Sequence, residues 1–124
     1  MAMNGQSPHD TMRAFLDRKA AEERAAGTRQ ASASHAALPG LVALLVGRHG
    51  ARRVWLFGSL AWGQAGVGSD IDLGVEGLPS DRYFRALGDL LAVAPCRVDL
   101  VRIEDAPESL ATRIRAEGEV LHDG

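Results

Sequence analysis

The sequence predicts a mixed α/β fold in which a small sheet of three to four strands packs against helices. Two observations support this prediction. Short apolar stretches of strand length alternate along the chain with longer stretches whose apolar residues recur at helical spacing. The chain has 124 residues, of which 46% are hydrophobic, and this is enough for one domain with one core. We expect the order helix, helix, strand, turn, strand, helix, strand, helix, with a short additional strand at 120–121.

The N-terminal part is predicted to be a helix followed by a linker. Ser7 can cap this helix, and Asp10 occupies the position of a capping-box acid. Its apolar stripe is narrow, so we expect it to pack at the edge of the domain or on a partner. The small polar segment 28–35, TRQASASH, is typical of a linker. We therefore divide the chain into an N-terminal helical arm and linker, residues 1–37, and a compact domain, residues 38–124.

The compact domain is predicted to contain three helices and three main strands. The first helix carries a broad apolar face and ends at Gly50. The stretch RVDLVRI alternates apolar and polar residues, as a half-buried strand does. The predicted helices cover 39–49, 80–91 and 107–117, and the predicted strands cover 53–57, 71–75 and 97–103.

Composition excludes several classes of protein. The formal net charge of −2 provides no broad basic surface for nucleic acid, so no direct nucleic-acid binding is expected. No apolar run approaches the roughly 18 residues of a membrane span, and the N-terminus has no secretion signal. Cys96 is the only cysteine, which excludes an internal disulfide and a cysteine-based zinc cluster. These features predict a cytoplasmic protein.

Two aspartates stand in an otherwise apolar strand. Because side chains alternate along a strand, Asp70 and Asp72 should share one face, while Ile71 and Leu73 point to the other. Burying a carboxylate without a partner is costly, so a positive group is expected beside this pair.

A third carboxylate lies on the last predicted strand. If that strand neighbours the strand of the acidic pair, Asp99 stands across from Asp70 and Asp72. Three close carboxylates repel unless a cation neutralises them. Hard divalent cations prefer such oxygen ligands, and Mg²⁺ commonly binds substrate phosphates as well. The three aspartates are therefore candidates for a magnesium site.

The pair Gly58-Ser59 follows a predicted strand and is expected to open a short helical turn. Glycine lets the backbone approach a phosphate, and the N–H groups of a helix start can bind an anion. Taken alone, a Gly-Ser pair is usually an ordinary turn, and an Asp-x-Asp pair is usually solvated. Their order and spacing favour a joint interpretation as a phosphate and metal site.

The same residues resemble a known signature. Gly58-Ser59, ten residues and then Asp70-Ile71-Asp72 resemble the signature of the DNA polymerase β-type nucleotidyltransferase superfamily. The segments VWLFGSLAWG and SDIDLGV are similar to those of its smallest members, the minimal nucleotidyltransferases, and the similarity covers about residues 38–121. Such proteins are commonly paired with HEPN-domain toxins as antitoxins. The resemblance implies the polymerase-β-like fold, and residues 1–37 match no part of it.

The resemblance also implies roles for individual residues. Asp70 and Asp72 would hold two Mg²⁺ ions, and Asp99 would hold the catalytic ion and help to activate the acceptor hydroxyl. Gly58, Ser59 and Ser69 would bind the nucleotide. The implied reaction transfers AMP from ATP to a hydroxyl of the HEPN toxin, with a tyrosine as the expected acceptor, and the implied assembly is a hetero-oligomer.

One departure and two alternatives remain. Many relatives carry Arg where this chain has Trp62, and Arg53 or Arg97 is the expected substitute for that cation. One alternative is an antitoxin that neutralises the HEPN partner by binding alone. The other is a small-molecule nucleotidyltransferase, which normally needs a further domain to build its acceptor site.

Overall fold

A computed structural model describes residues 31–62 and 70–124 of the chain. Residues 31–43 form helix α1, which continues as a π-helical turn over Leu44–Arg48. The other elements are β1 (Arg53–Phe57), α2 (Gly58–Ala61), β2 (Ile71–Glu76), α3 (Tyr83–Val93), β3 (Val98–Arg102), α4 (Glu108–Glu117) and β4 (Glu119–Asp123), with 3-10 turns at Ser80–Arg82 and Ile103–Asp105.

The strands form one four-stranded sheet in the order β3-β2-β1-β4. The β2–β3 pair is parallel, whereas β1 runs antiparallel to both β2 and β4. Helix α3 makes the crossover that a parallel pair of strands requires. The predicted mixed α/β fold is confirmed, and the strand expected at 120–121 is longer, Glu119–Asp123.

The two faces of the sheet are covered by different helices, because apolar residues of β1 alternate between them. Val54 and Leu56 belong to the larger core, which also contains residues of α1 and α3. Trp55 and Phe57 point the other way and pack with Ile114 of α4. At one end of α1, the buried His49 ring contacts the Asp89 carboxylate of α3 at 2.7 Å, which links the two helices on the first face.

The predicted linker is wrong for the part that the structure describes. Residues 31–35 are helical, and α1 extends well before the predicted start at Pro39. Alanine is the best helix former, and it occupies several of these positions, so the small polar composition conceals helix propensity. Ser34 is buried, and its Oγ lies 3.4 Å from the Cys96 Sγ. The boundary between 37 and 38 falls within α1, and the division into two parts remains a prediction.

The predicted helix that starts at Ser7 lies outside the described residues. None of the helices in the described ranges is long and apolar enough to cross a membrane.

Candidate active site

The three candidate carboxylates lie where β2 and β3 begin. Asp70 directly precedes β2, and Asp72 is the second residue of that strand. Asp72 pairs with Phe57 of β1 on one side and with Asp99 of β3 on the other. Because paired residues of neighbouring strands point to the same face, the Asp72 and Asp99 carboxylates share the face that α4 partly covers. The structure therefore brings the three aspartates together, as the period-two pattern suggests.

Gly58 places the start of α2 directly against this acidic row. Its φ is +75°, a conformation that favours glycine. A Cβ atom at this position would lie only 2.1 Å from Oδ2 of Asp72 and 2.9 Å from its Cγ. Ser59 is the next residue of the same short helical turn. The predicted phosphate loop and the predicted metal ligand are thus in contact, although they are fourteen residues apart in the sequence.

The three aspartates Asp70, Asp72 and Asp99, here called the acidic row, repel one another. Burial, followed by repulsion from Asp99 and Asp70, raises the pKa of Asp72 from 3.8 to about 6. Burial and the charge of Asp99 also raise the pKa of Tyr83, which contacts the outer strand. The Asp72 carboxylate is therefore the member of the row that gains most from a neighbouring cation.

Asp70 already has a cation nearby. The Arg97 Nε atom lies 4.0 Å from Oδ2 of Asp70, and both side chains are substantially exposed. Arg97 is therefore at the site, as expected for one of the two candidate substitutes for a missing arginine. Arg53 is not, because it bonds to Glu76 and Asp123 at the opposite end of β1. Of the two alternatives, the structure excludes Arg53 and leaves Arg97 as the candidate.

The donor set fits Mg²⁺ only if part of the coordination shell comes from elsewhere. Among residues 31–62 and 70–124, no group of three or more His, Cys, Asp or Glu side chains forms a ready-made metal cluster. Carboxylate oxygens are nevertheless the ligands that a hard cation prefers. Because Gly58 has no side chain, the Asp72 carboxylate is not blocked by a Cβ atom on that side. Mg²⁺ characteristically uses one or two carboxylates and completes its shell with water and substrate phosphates. The residues fit such a shared site.

Trp62 connects the candidate phosphate loop to α4. Its indole Nε1 donates to the Glu117 carbonyl at 3.1 Å, and the Arg113 guanidinium lies 4.2 Å from the ring centroid. Arg113 also bonds to the Glu117 carboxylate at 2.9 Å. Sequence reasoning missed Arg113, whose only local signal is an (i, i+4) pair with Glu117. The predicted nucleotide contact Ser69 lies outside the described residues.

Replacing Asp72 with Asn should stabilise the metal-free protein at neutral pH. This carboxyl titrates near 3.8 in the unfolded chain and near 6 in the folded one, so folding takes up protons between these values. Stability is therefore lost as the pH rises from about 4 to 6, and Asn removes that loss. Because solvent screens this partly exposed group, we expect a gain of about 1 kcal/mol at pH 7.5.

Thermal unfolding in EDTA at pH 7.5 and pH 4 measures this effect. The melting temperature of the Asp72→Asn variant should exceed that of the wild type by a few degrees at pH 7.5, and the difference should shrink at pH 4. Asp81→Asn is the matched control, because Asp81 is exposed outside the acidic row. If the Asp72→Asn variant melts below the wild type at pH 7.5, the charged Asp72 carboxylate does not destabilise the metal-free protein.

Comparison with known proteins identifies related sequences and folds. The family model described as polymerase beta, nucleotidyltransferase matches residues 41–124. A structure assigned to a minimal nucleotidyltransferase is 32% identical, with a TM-score of 0.58, and the match covers 68% of this chain and 88% of that one. A search of curated proteins finds no match.

Two toxin–antitoxin structures share the fold. One, solved with AMP-PNP, is 23% identical, with a TM-score of 0.60 and coverage of 68% of this chain and 73% of that one. The other, a MntA–HepT structure, is 22% identical, with a TM-score of 0.55 and coverage of 69% of each chain.

Proposed function

Because the chain belongs to the polymerase beta nucleotidyltransferase family, we propose that it transfers AMP from ATP to a hydroxyl of a partner toxin and so acts as an antitoxin. The observation that carries this proposal is the contact between Gly58 and Asp72, which places the candidate phosphate loop against Asp70, Asp72 and Asp99. The toxin–antitoxin structures with the same fold, one of them with an ATP analogue, support the choice of nucleotide and partner class. The partner is proposed to be a HEPN-domain toxin, and the acceptor a tyrosine.

The proposed reaction is an in-line displacement at the α-phosphorus of ATP. The acceptor oxygen forms a bond to phosphorus, the bond from phosphorus to the bridging oxygen breaks, and pyrophosphate leaves. Gly58 and Ser59 hold the triphosphate through backbone N–H groups and the Ser59 hydroxyl. Ser69, next to Asp70 in the sequence, is proposed as a further nucleotide contact.

The aspartates orient the reacting groups and take up the proton. Asp99 is exposed on the outer strand, where its carboxylate can accept the proton of the acceptor hydroxyl. Asp70 and Asp72 would hold two Mg²⁺ ions, with Asp99 as a further ligand of one. When bound, Mg²⁺ supplies positive charge that neutralises the carboxylates and the triphosphate. The close approach of Gly58 places the Asp72 carboxylate at the candidate phosphate loop.

Intact-mass spectrometry tests the proposed function. The protein is co-expressed with the product of the neighbouring gene, purified and incubated with ATP and Mg²⁺. We expect the toxin to gain the mass of one AMP residue for each modified site, and peptide mapping to place it on a tyrosine. Asp72→Asn should abolish the gain, whereas Asp81→Asn should retain it.

A second candidate function is neutralisation by binding alone. Trp62 favours it, because its indole is bonded to the Glu117 carbonyl of α4 and provides no positive charge for a phosphate. This candidate predicts a stable complex without any mass gain, and protection of cells that persists in the Asp72→Asn variant. The mass measurement and a growth assay with that variant therefore separate the two functions.

A further inference from the structure

The order of the strands determines the side from which an acceptor can approach. The candidate triphosphate loop follows β1, Asp72 lies on the central strand β2, and Asp99 lies on β3. In an in-line displacement the attacking oxygen enters opposite the leaving pyrophosphate. With pyrophosphate over Gly58, the acceptor oxygen enters from the side of Asp99. β3 is the edge strand of the described sheet, so an acceptor chain can reach Asp99 across that edge.

A groove of about 510 Å³ lies along this edge. It is formed between the N-terminal turns of α3 and α4, and its walls are mainly apolar: Tyr83, Phe84, Leu100, Val101, Pro107 and Leu110. Val101 follows Asp99 by two residues on the same face of β3, so the groove begins about 7 Å from the carboxylate-bearing residue. The Tyr83 hydroxyl donates to the Leu100 carbonyl at 2.5 Å and fixes one wall to the strand. This volume is typical of sites that hold a small ligand.

The groove contains an aromatic residue that the described chain leaves uncovered. The Phe84 side chain is 82% exposed, although its ring packs edge-on against Tyr83 with centroids 5.2 Å apart. Among the lining residues that the structure describes, Arg102 is the one cation, and it is already paired with Asp105 and donates to the Leu78 carbonyl. The described residues of the groove therefore offer apolar contact and no unpaired positive charge for a phosphate or nucleic acid.

The apolar surface continues from the groove along α3. Leu91 is 45% exposed and lies two helical turns from Phe84, on the same side of the helix. Between them, a side chain at Gly88 would meet nothing within 4 Å, so another polypeptide could approach the backbone closely there. These exposed residues of α3 and the groove together form one continuous surface next to Asp99.

We propose that this groove binds the segment of the partner toxin next to its acceptor hydroxyl, with an apolar side chain of that segment packed on Phe84. The inference rests on the proposed function and specifies how the same site selects its protein substrate. Phe84 contacts the substrate polypeptide and is a specificity residue, because the reacting atoms lie at Asp99 instead.

Steady-state AMP transfer with Phe84→Ala and Phe84→Gln tests the groove. Because a central aromatic residue dominates many interfaces, we expect KM for the partner to rise about tenfold or more, with KM for ATP unchanged. Val120→Ala is the matched control: Val120 is 55% exposed on β4, at the opposite edge of the sheet. Melting temperatures of all variants should stay near that of the wild type.

The outcomes separate this inference from the proposed function. If both Phe84 variants transfer AMP like the wild type, with an unchanged KM for the partner, the inference about the groove is wrong. The proposed function is unaffected by that result. A rise in KM for ATP alone would assign the groove to the nucleotide and also overturn the inference. If the wild type transfers no AMP, the proposed function fails, and the groove loses its role beside an acceptor hydroxyl. An about tenfold weaker Kd of the complex with Phe84→Ala would then support the groove as a partner-binding surface alone, and an unchanged Kd would overturn that as well.

Discussion

Replacing Asp72 with Asn is expected to lower the rate of AMP transfer by about three orders of magnitude. Asn has nearly the same shape as Asp, so the change removes a charge and leaves the packing in place. Asp72 is the central member of the acidic row, between Phe57 and Asp99, and it touches the candidate phosphate loop at Gly58. Without this charge, the proposed site would hold neither Mg²⁺ nor the triphosphate in position for the acceptor. Single-turnover transfer to the co-purified partner, followed by intact mass, measures the rate.

This loss can be separated from unfolding. The same variant should be more stable than the wild type in EDTA, because the charge that it removes is strained in the metal-free protein. Loss of activity with a gain of stability is characteristic of a functional residue. Asp81→Asn, which removes an exposed carboxylate, should leave the rate within twofold of the wild type. A rate for Asp72→Asn within tenfold of the wild type would place the metal elsewhere.

Much of the sheet could be predicted because its strands alternate in polarity. The predicted strand 53–57 coincides with β1. The one predicted at 71–75 is one residue shorter than β2, and the one predicted at 97–103 is one residue longer than β3 at each end. The order of the strands could not be predicted, because no local pattern states which strands pair. The linker prediction failed at 31–35, where alanine and serine are compatible with both a helix and a loop.

Some features of the candidate site could also be predicted from the sequence, whereas others depend on how the strands and helices pack. That Asp70 and Asp72 share a face follows from strand geometry alone, whereas the contact between Gly58 and Asp72 depends on how β1 pairs with β2. Strand geometry alone also decides between Arg53 and Arg97: at about 3.3 Å per residue, a strand of this length keeps its first residue, Arg53, some 16 Å from Gly58. The stacking of Arg113 on Trp62 joins two separate helices and has no counterpart in the sequence pattern.

Replacing Gly58 with Ala is expected to reduce AMP transfer by about two orders of magnitude while lowering stability only modestly. The new Cβ would lie 2.1 Å from Oδ2 of Asp72, so the carboxylate must rotate away from the phosphate loop. Cγ of Asp72 would also lie 2.9 Å from the new Cβ, so the whole side chain must turn. That movement would take the carboxylate out of the proposed metal site. The φ of +75° adds a backbone cost of about 1 kcal/mol for a residue with a Cβ.

Gly50→Ala isolates the contact with Asp72 from the backbone cost. Gly50 has a φ of +78°, nearly that of Gly58, but a Cβ there would meet nothing within 4 Å. Both variants should therefore lose about 1 kcal/mol of unfolding free energy from the backbone, measured by urea denaturation. Only Gly58→Ala should also lose transfer activity. If the two variants retain equal activity, the approach of Gly58 to Asp72 has no part in catalysis. The aspartates would then have to act without the candidate phosphate loop at Gly58.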